Sequence, residues 1–330
     1  MGAEKQKKNI AKSALLMTIV SAISLLFSFL QESVFAYFYG ADLTTDAYTI
    51  AIQIPVTLFS LVSTAISTVV IPCYSKELYS KNQECARKYA SNLMTTISIF
   101  TIVLILLGEI FAGIVISVFA PGMDADTKML AAALFRMVLP TILLTELMNI
   151  NTGIMNVHKS FVLPSLTSNI LNVTFVTTIA ILADRFGIYA AIIGNIVGTC
   201  FEFAYSVALR RRFVKYKPTL NLKDETMLQS YKMSIPVFIG IGAAEINKVV
   251  DRMVSSFLEA GSISTLNYAS KLSSAISSLL IHSVTTVIYP EFAKCSAEKD
   301  DKGRILILNM ISSGSIFRIM TRSGFLSMRQ

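Results

Sequence analysis

Polar residues recur at helical spacing inside a stretch apolar enough to cross a membrane, a combination suited to the wall of a path for a polar cargo. In residues 46–72, DAYTIAIQIPVTLFSLVSTAISTVVIP, the side chains of Asp46, Thr49, Gln53, Thr57, Ser60, Thr64 and Ser67 follow one another at steps of three or four. On a helix they share one face, and Ile, Val, Leu and Phe take the other. An unpaired polar group in hydrocarbon is costly, so such a stripe must meet protein or a water-filled cavity. Hydroxyls alone also suit a packing face, because Ser and Thr bond their own helix's carbonyls. Asp46 and Gln53 favour the pathway, since ionisable and amide groups inside a membrane are rare and usually functional.

A second copy of the device lies at 264–290, with Asn267, Lys271, Ser274, Ser278, His282 and Thr285 at the same steps. The ends align best, STVVIPCYSKE at 67–77 with TTVIYPEFAKC at 285–295. In that register Thr49 matches Asn267, Gln53 matches Lys271, Ser60 matches Ser278 and Thr64 matches His282. A duplication with a period of roughly 220 residues fits a transporter built from two similar halves. A third cluster, Glu245, Asn247, Lys248, Asp251 and Arg252, falls in another apolar run. Glu245, Lys248 and Arg252 share a face, and Asp251 is placed to pair with Lys248, which leaves Arg252 in excess. Mutual neutralisation and a cationic site for an anionic group both fit this spacing. Glu109, Arg136, Glu146 and Glu202 are isolated and receive no role.

The elements that carry these residues are membrane spans. The chain is 53% hydrophobic and only 15% charged, outside the range of soluble globular domains. Apolar runs at 11–38, 46–71, 89–119, 129–155, 163–182, 188–209, 233–257 and 264–289 predict about eight helical spans. The first follows a basic start but is too long for a signal peptide and lacks a cleavage site, so it is read as a retained span. The formal charge of +8 would suggest nucleic acid in a soluble protein. Here the cations gather in alternate loops: Lys5, Lys7, Lys8 and Lys12; Lys76, Lys81, Arg87 and Lys88; Lys159; Arg210, Arg211, Arg212, Lys215, Lys217, Lys223 and Lys232; Lys294, Lys299, Lys302 and Arg304. The intervening loops receive only Lys128 and Arg185, which places the N-terminus and the even loops in the cytoplasm. The two striped spans then run the same way, and the repeat is parallel. The segment 210–225 reads as a topology determinant that touches anionic head groups. Pro55, Pro140, Pro164 and Pro236 are expected to kink or break their spans.

Several chemistries find no residues. Cys73, Cys85, Cys200 and Cys295 form no C-x-x-C pair, and three of them fall in basic loops, so neither a disulfide nor a metal is expected. His158 and His282 stand far apart in the chain and no D-D-x-x-D run occurs, which argues against a membrane glycosyl or acyl transferase. The chain is therefore not read as an enzyme. No Walker A sequence is present, so no cofactor is expected and energy must come from a coupling cation or the membrane potential.

The stretch FLQESVFAYFYGADLTTDAYTIAIQIP at 29–55, with Tyr39-Gly40-Ala41, Thr45-Asp46-Ala47, Pro55 and Ile71-Pro72, resembles the MurJ (MviN) family of lipid II flippases within the MOP exporter superfamily. GSISTLNYASKL at 261–272 is similar to the family's eighth span. The resemblance covers residues 8–311 and implies an all-α, polytopic membrane helix bundle, a two-lobed MOP-type exporter fold with the second lobe incomplete. It divides the chain into a first six-helix lobe at 1–212, a cytoplasmic linker at 213–232, a partial second lobe at 233–311 and an aberrant tail at 312–330. The family has about fourteen spans, so the chain reads as C-terminally truncated, with a frame change or premature stop near Ser312. By resemblance Asp46 corresponds to a functionally important acidic residue and Lys271 to a cavity Arg. Gln31, Gln53, Phe59-Ser60 and Ser270 depart from the family's charged residues at those positions.

The resemblance implies flipping of an undecaprenyl-pyrophosphate-linked peptidoglycan precursor across the bacterial cytoplasmic membrane, serving cell-wall synthesis and cell shape. Its partners would be that lipid-linked pyrophosphate and membrane lipids, not nucleic acid, and the chain would be a monomer. Lys271, Arg252 and Lys248 are then expected to pair with pyrophosphate, the hydroxyls to bond sugars, and Asp46 to engage a coupling cation or hold a contact between lobes. The alternatives are another MOP-type exporter, for a lipid-linked polysaccharide or as a multidrug/cation antiporter, and a non-functional remnant.

Overall fold

In hydrocarbon the backbone finds no water, so apolar runs close their hydrogen bonds on themselves as helices. The computed structural model describes residues 2–160 and 162–274, and the regular elements among them are all helical. In order these are α1 (Gly2–Tyr39), α2 (Leu43–Lys76), α3 (Gln83–Phe119), α4 (Ala125–Val138), α5 (Thr141–Val157), the one-turn α6 (Val162–Ser165), α7 (Thr167–Phe186), α8 (Tyr189–Arg210) and α9 (Glu225–Ser255). A π-helical turn over Glu77–Lys81 extends α2, and one more helical stretch begins at 262. Met1–Ala269 form one compact unit. Ser270–Gln330 form another, of which 270–274 are described and helical.

Among the described residues six helices are long and apolar enough to cross a membrane, and α4 with α5 makes a seventh, bent by 43°. That bend falls at Leu139–Pro140, where the ring removes a helix donor. Pro164 sits in the short α6, set off from α7 at Leu166. Neither Pro55 nor Pro236 breaks its span: α2 and α9 continue through both as helices. α2 is surrounded by neighbours, and packing of this kind lets membrane helices carry proline. Cys73, expected in a loop, is fully buried inside α2.

α2 is the hub. It packs against α9, α4, α5 and α3, while α8 pairs with α7 and α5, and α1 lies on α7. Ile50 and Ile54 anchor one end of α2 in a cluster with Leu134, Phe135, Phe175 and Ile192. Ile66, Val70 and Tyr74 anchor the other in a cluster with Leu93, Ile150 and Ile154. Lipid is as apolar as these side chains, so within the membrane the contacts are held by close packing rather than by escape from water. Small residues make it possible. Gly194 and Gly198 of α8 form a G-x-x-x-G, and a Cβ on either would stand 3.2 Å from α7, the second against the backbone of Leu171. A Cβ on Gly153 of α5 would stand 2.5 Å from a methyl of Val70 on α2.

The turns sort to two ends. At one, Tyr39 hydroxyl donates to the Gly187 carbonyl at 3.0 Å and the Gly122 amide to Ser256 Oγ at 3.0 Å. At the other, Tyr74 hydroxyl lies 3.1 Å from His158 Nε2, and the His158 ring stacks on Phe213 at 4.2 Å. Burial holds the His158 imidazole below its usual pKa, so it stays neutral. The loops richest in Lys and Arg share this second end.

Glycine contacts give a testable contrast. Gly198→Leu meets backbone that trimming cannot remove, and it is expected to lower the thermal midpoint of the detergent-solubilised chain whatever occupies position 171. Gly153→Ala is expected to cost about 1–3 kcal/mol and to be rescued by Val70→Ala, because there the obstacle is a side chain. Failure of Val70→Ala to rescue Gly153→Ala, or rescue of Gly198→Leu by trimming Leu171, would contradict the packing described.

Candidate functional site

The polar stripe of α2 turns toward α9 and the helix that begins at 262. At its first turn Asp46, 3% exposed, accepts three hydrogen bonds: from the Gly261 amide at 2.8 Å, the Ser264 amide at 2.7 Å and the Ser264 hydroxyl at 2.6 Å. The first amides of a helix have no intrahelical acceptor and carry its positive end, so a carboxylate there is a strong cap. Here the cap is supplied by a residue 218 positions away. Gly261 adopts φ +84°, and a Cβ would stand 2.4 Å from the Ala41 carbonyl oxygen, so only glycine fits. Tyr268 hydroxyl adds a bond to the Gly40 carbonyl at 2.8 Å. Asp42, beside Asp46, caps α2 itself through the Thr45 amide at 2.8 Å. Burial alone would push the Asp42 carboxyl up, but donors from Thr44 and Thr45 outweigh it and hold the group below the usual carboxylate range.

Asp46 and Ser264 are also equivalent residues in the repeat register. Elements related by a two-fold axis meet through equivalent residues where the axis passes between them. One turn further Thr49 Oγ1 lies 3.5 Å from Ser264 Oγ.

The middle of the stripe is a node. Gln53 donates through Nε2 to Asn267 Oδ1 and accepts from Arg252 Nε at 2.9 Å, while Arg252 Nη1 donates to Thr57 Oγ1. Among the described residues no carboxylate lies within ion-pair distance of Arg252. Lys248 differs. Its Nζ meets Glu245 Oε1 at 2.7 Å, so the expected pairing with Asp251 is corrected: the neutralising partner is one turn toward the N-terminus, at i−3.

Below the node the hydroxyls turn inward on their own helix. Ser60 donates to the Thr57 carbonyl, Thr64 to that of Ser60 and Ser67 to that of Ser63, at 2.8, 2.8 and 2.9 Å. These three follow the packing alternative for hydroxyls in a membrane helix. Off the stripe, Ser63 donates to Glu146 Oε1 at 2.5 Å, and Glu146 is fully buried. The sequence reading passed over Glu146, although a lone carboxylate at mid-span and a hydroxyl off the polar face were both visible. The structure thus brings Asp46, Thr49, Gln53, Arg252 and Asn267 together and leaves Ser60, Thr64 and Lys248 with local partners. Lys271 and Ser274 are helical residues of the second unit. Ser278 and His282 lie outside the described residues.

Asp46→Ala removes all three acceptor contacts, and faster amide exchange at Gly261 and Ser264 is expected, on the order of tenfold for a lost cap of about 1–2 kcal/mol. Asp46→Asn keeps one acceptor oxygen and should lose less. Unchanged exchange in the alanine variant would remove Asp46 as the cap.

Known proteins are similar to this chain in sequence and in fold. The family model described as lipid II flippase MurJ matches residues 35–321. A probable lipid II flippase MurJ of Buchnera aphidicola subsp. Baizongia pistaciae is 27% identical over 296 residues, 87% of this chain and 57% of that protein. One from Borreliella burgdorferi is 27% identical over 285 residues, 86% of this chain and 56% of that protein. The chain therefore spans little more than half the length of these relatives. Among solved structures, a lipid II flippase MurJ in an inward closed conformation matches with TM-score 0.74 and 28% identity, over 87% of this chain and 60% of that one. The Vibrio cholerae MATE transporter VcmN shares the fold with TM-score 0.61 at 15% identity, over 92% of this chain and 70% of that one. With several helices long and apolar enough to cross a membrane, a fold shared with solved MurJ and MATE transporter structures and a family match over most of its length, the chain belongs to the MurJ family.

Proposed function

We propose that this chain carries part of the path by which a flippase moves lipid II, an undecaprenyl-pyrophosphate-linked peptidoglycan precursor, from the cytoplasmic to the outer leaflet of the bacterial cytoplasmic membrane. Membership of the MurJ family and the names of its relatives support this reading. The observation that carries it is Arg252, a partly buried guanidinium held by the neutral groups of Gln53 and Thr57 rather than by a carboxylate. A planar fork of donors that makes no ion pair among the described residues suits a pyrophosphate, which supplies charge-assisted bonds that an amide and a hydroxyl cannot.

In this reading the basic end faces the cytoplasm, in keeping with the positive-inside rule, and the N-terminus lies there too. The head group enters from that side and its pyrophosphate displaces Gln53 and Thr57 from Arg252. The outer end is shut by the Asp46 cap, and opening outward parts the carboxylate from Gly261 and Ser264. A bond to a charged group contributes about 1.5–3 kcal/mol, so the cap weights the balance toward the outward-closed state. A coupling cation or the membrane potential drives the return. In this reading the protein works as a monomer.

Binding of undecaprenyl pyrophosphate to the purified chain in nanodiscs tests this. Arg252→Gln is expected to weaken it on the order of tenfold, with undecaprenol unaffected. Equal affinity for the pyrophosphate in both proteins would contradict the assignment.

A further inference from the structure

A second unneutralised guanidinium lies well away from the seam. Arg210, in the last turn of α8, is only 7% exposed, yet its Nε has no hydrogen-bond partner and its Nη1 reaches only the Met94 sulfur, at 3.4 Å. A thioether is a weak acceptor, and a buried charge held by nothing better is costly. Among the described residues Arg210 has no ion pair. It lines a cavity of 180 Å3 between α3, α5, α8 and the segment after α8, together with Ser98, Leu147, Asn151, Val207 and Tyr216. Asn151 in the same wall is buried, and although its Nδ2 donates to Ser206 Oγ at 2.9 Å, its Oδ1 has no donor. The cavity therefore presents an unmet cationic donor and an unmet neutral acceptor.

The surroundings add charge of one sign. Residues after α8 are pinned along α3: the Asn92 amide group exchanges two 2.8 Å bonds with the Asn221 backbone, and Tyr216 hydroxyl lies 3.0 Å from Thr95 Oγ1. Tyr216 thus closes one wall of the Arg210 cavity. Its neighbours Lys215 and Lys217 line a second cavity of 240 Å3 with Arg87 and Lys88, where the one carboxylate, Glu84, lies 3.6 Å from Lys88.

We propose that the Arg210 cavity binds a phosphate group that also bears a hydroxyl: the anionic oxygens would take the guanidinium and the hydroxyl would donate to Asn151 Oδ1. A phosphatidylglycerol head group, with a phosphodiester and a free glycerol, has this chemistry, and so does hydrogen phosphate. Basic pockets between membrane helices are suited to such head groups. Occupancy ties α8 and the segment after it to α3 and α5, away from the Arg252 node.

Native mass spectrometry of the purified full chain, titrated separately with phosphatidylglycerol, phosphatidylcholine and inorganic phosphate, tests this. Wild type is expected to retain phosphatidylglycerol over phosphatidylcholine, with Arg210→Gln weakening retention on the order of tenfold and the exposed Arg212→Gln leaving it unchanged. Displacement of the lipid by millimolar inorganic phosphate, itself lost in Arg210→Gln, would support the same site with the free ion as its ligand. Should the glutamine variant not fold, Arg210→Lys, which keeps charge but not the fork, is expected to weaken retention several-fold. No preference over phosphatidylcholine together with no phosphate binding, or equal losses in the Arg210 and Arg212 variants, would overturn the proposal.

Discussion

A polar group inside a bilayer must find a partner, and the consequences of that constraint divide α2 into three parts. At its start Asp46 satisfies the free amides of another helix, and the carboxylate is itself satisfied by them. In the middle Gln53 spends its oxygen on Arg252 and its nitrogen on Asn267. Toward its end the hydroxyls of Ser60, Thr64 and Ser67 close on their own carbonyls and ask nothing of a neighbour. The first two solutions join α2 to α9 and beyond, so they must break and reform if those elements move. The third leaves α2 free to slide or part there.

Elsewhere helices meet by close packing. α7 and α8 meet through Gly194 and Gly198, and α2 meets α5 through Gly153 against Val70, contacts with no slack for an added methyl. Without a hydrophobic drive inside lipid, such contacts hold only at close range. The wet interface, held by exchangeable hydrogen bonds, is where two arrangements can differ little in energy. An anion at Arg210 would stiffen the far side of the bundle and leave the seam as the mobile surface.

The helical spans among the described residues and the face that α2 turns to its partners are legible in the sequence, because hydropathy and a three-to-four spacing are local signals. The register that aligns 67–77 with 285–295 also sets Asp46 opposite Ser264, two residues that the structure brings into contact. The cap itself was not legible: its donors stand 215 and 218 residues from its acceptor, and no local pattern announces a helix capped from outside its own chain segment. Spacing alone lets Lys248 pair with Asp251 or with Glu245, and in the structure its partner is Glu245. Pro55 and Pro236 do not end their helices; local propensity leaves out the neighbours that let a membrane helix carry proline. Glu146 and Arg210 look unremarkable in sequence, one a lone mid-span acid and the other the first of three arginines, and only burial sets them apart.

Whether the face of α2 at Gln53 lines the substrate path is the central claim, and cysteine labelling tests it most directly. With the native cysteines replaced, single cysteines at Gln53, Thr57 and the outward-facing Val56 would be exposed to a charged, membrane-impermeant thiol reagent in proteoliposomes, with and without undecaprenyl pyrophosphate. Labelling at 53 and 57 that the pyrophosphate lipid suppresses, with none at 56, is the expected result. Equal labelling at all three positions, or labelling at 53 and 57 that the lipid does not alter, would contradict it.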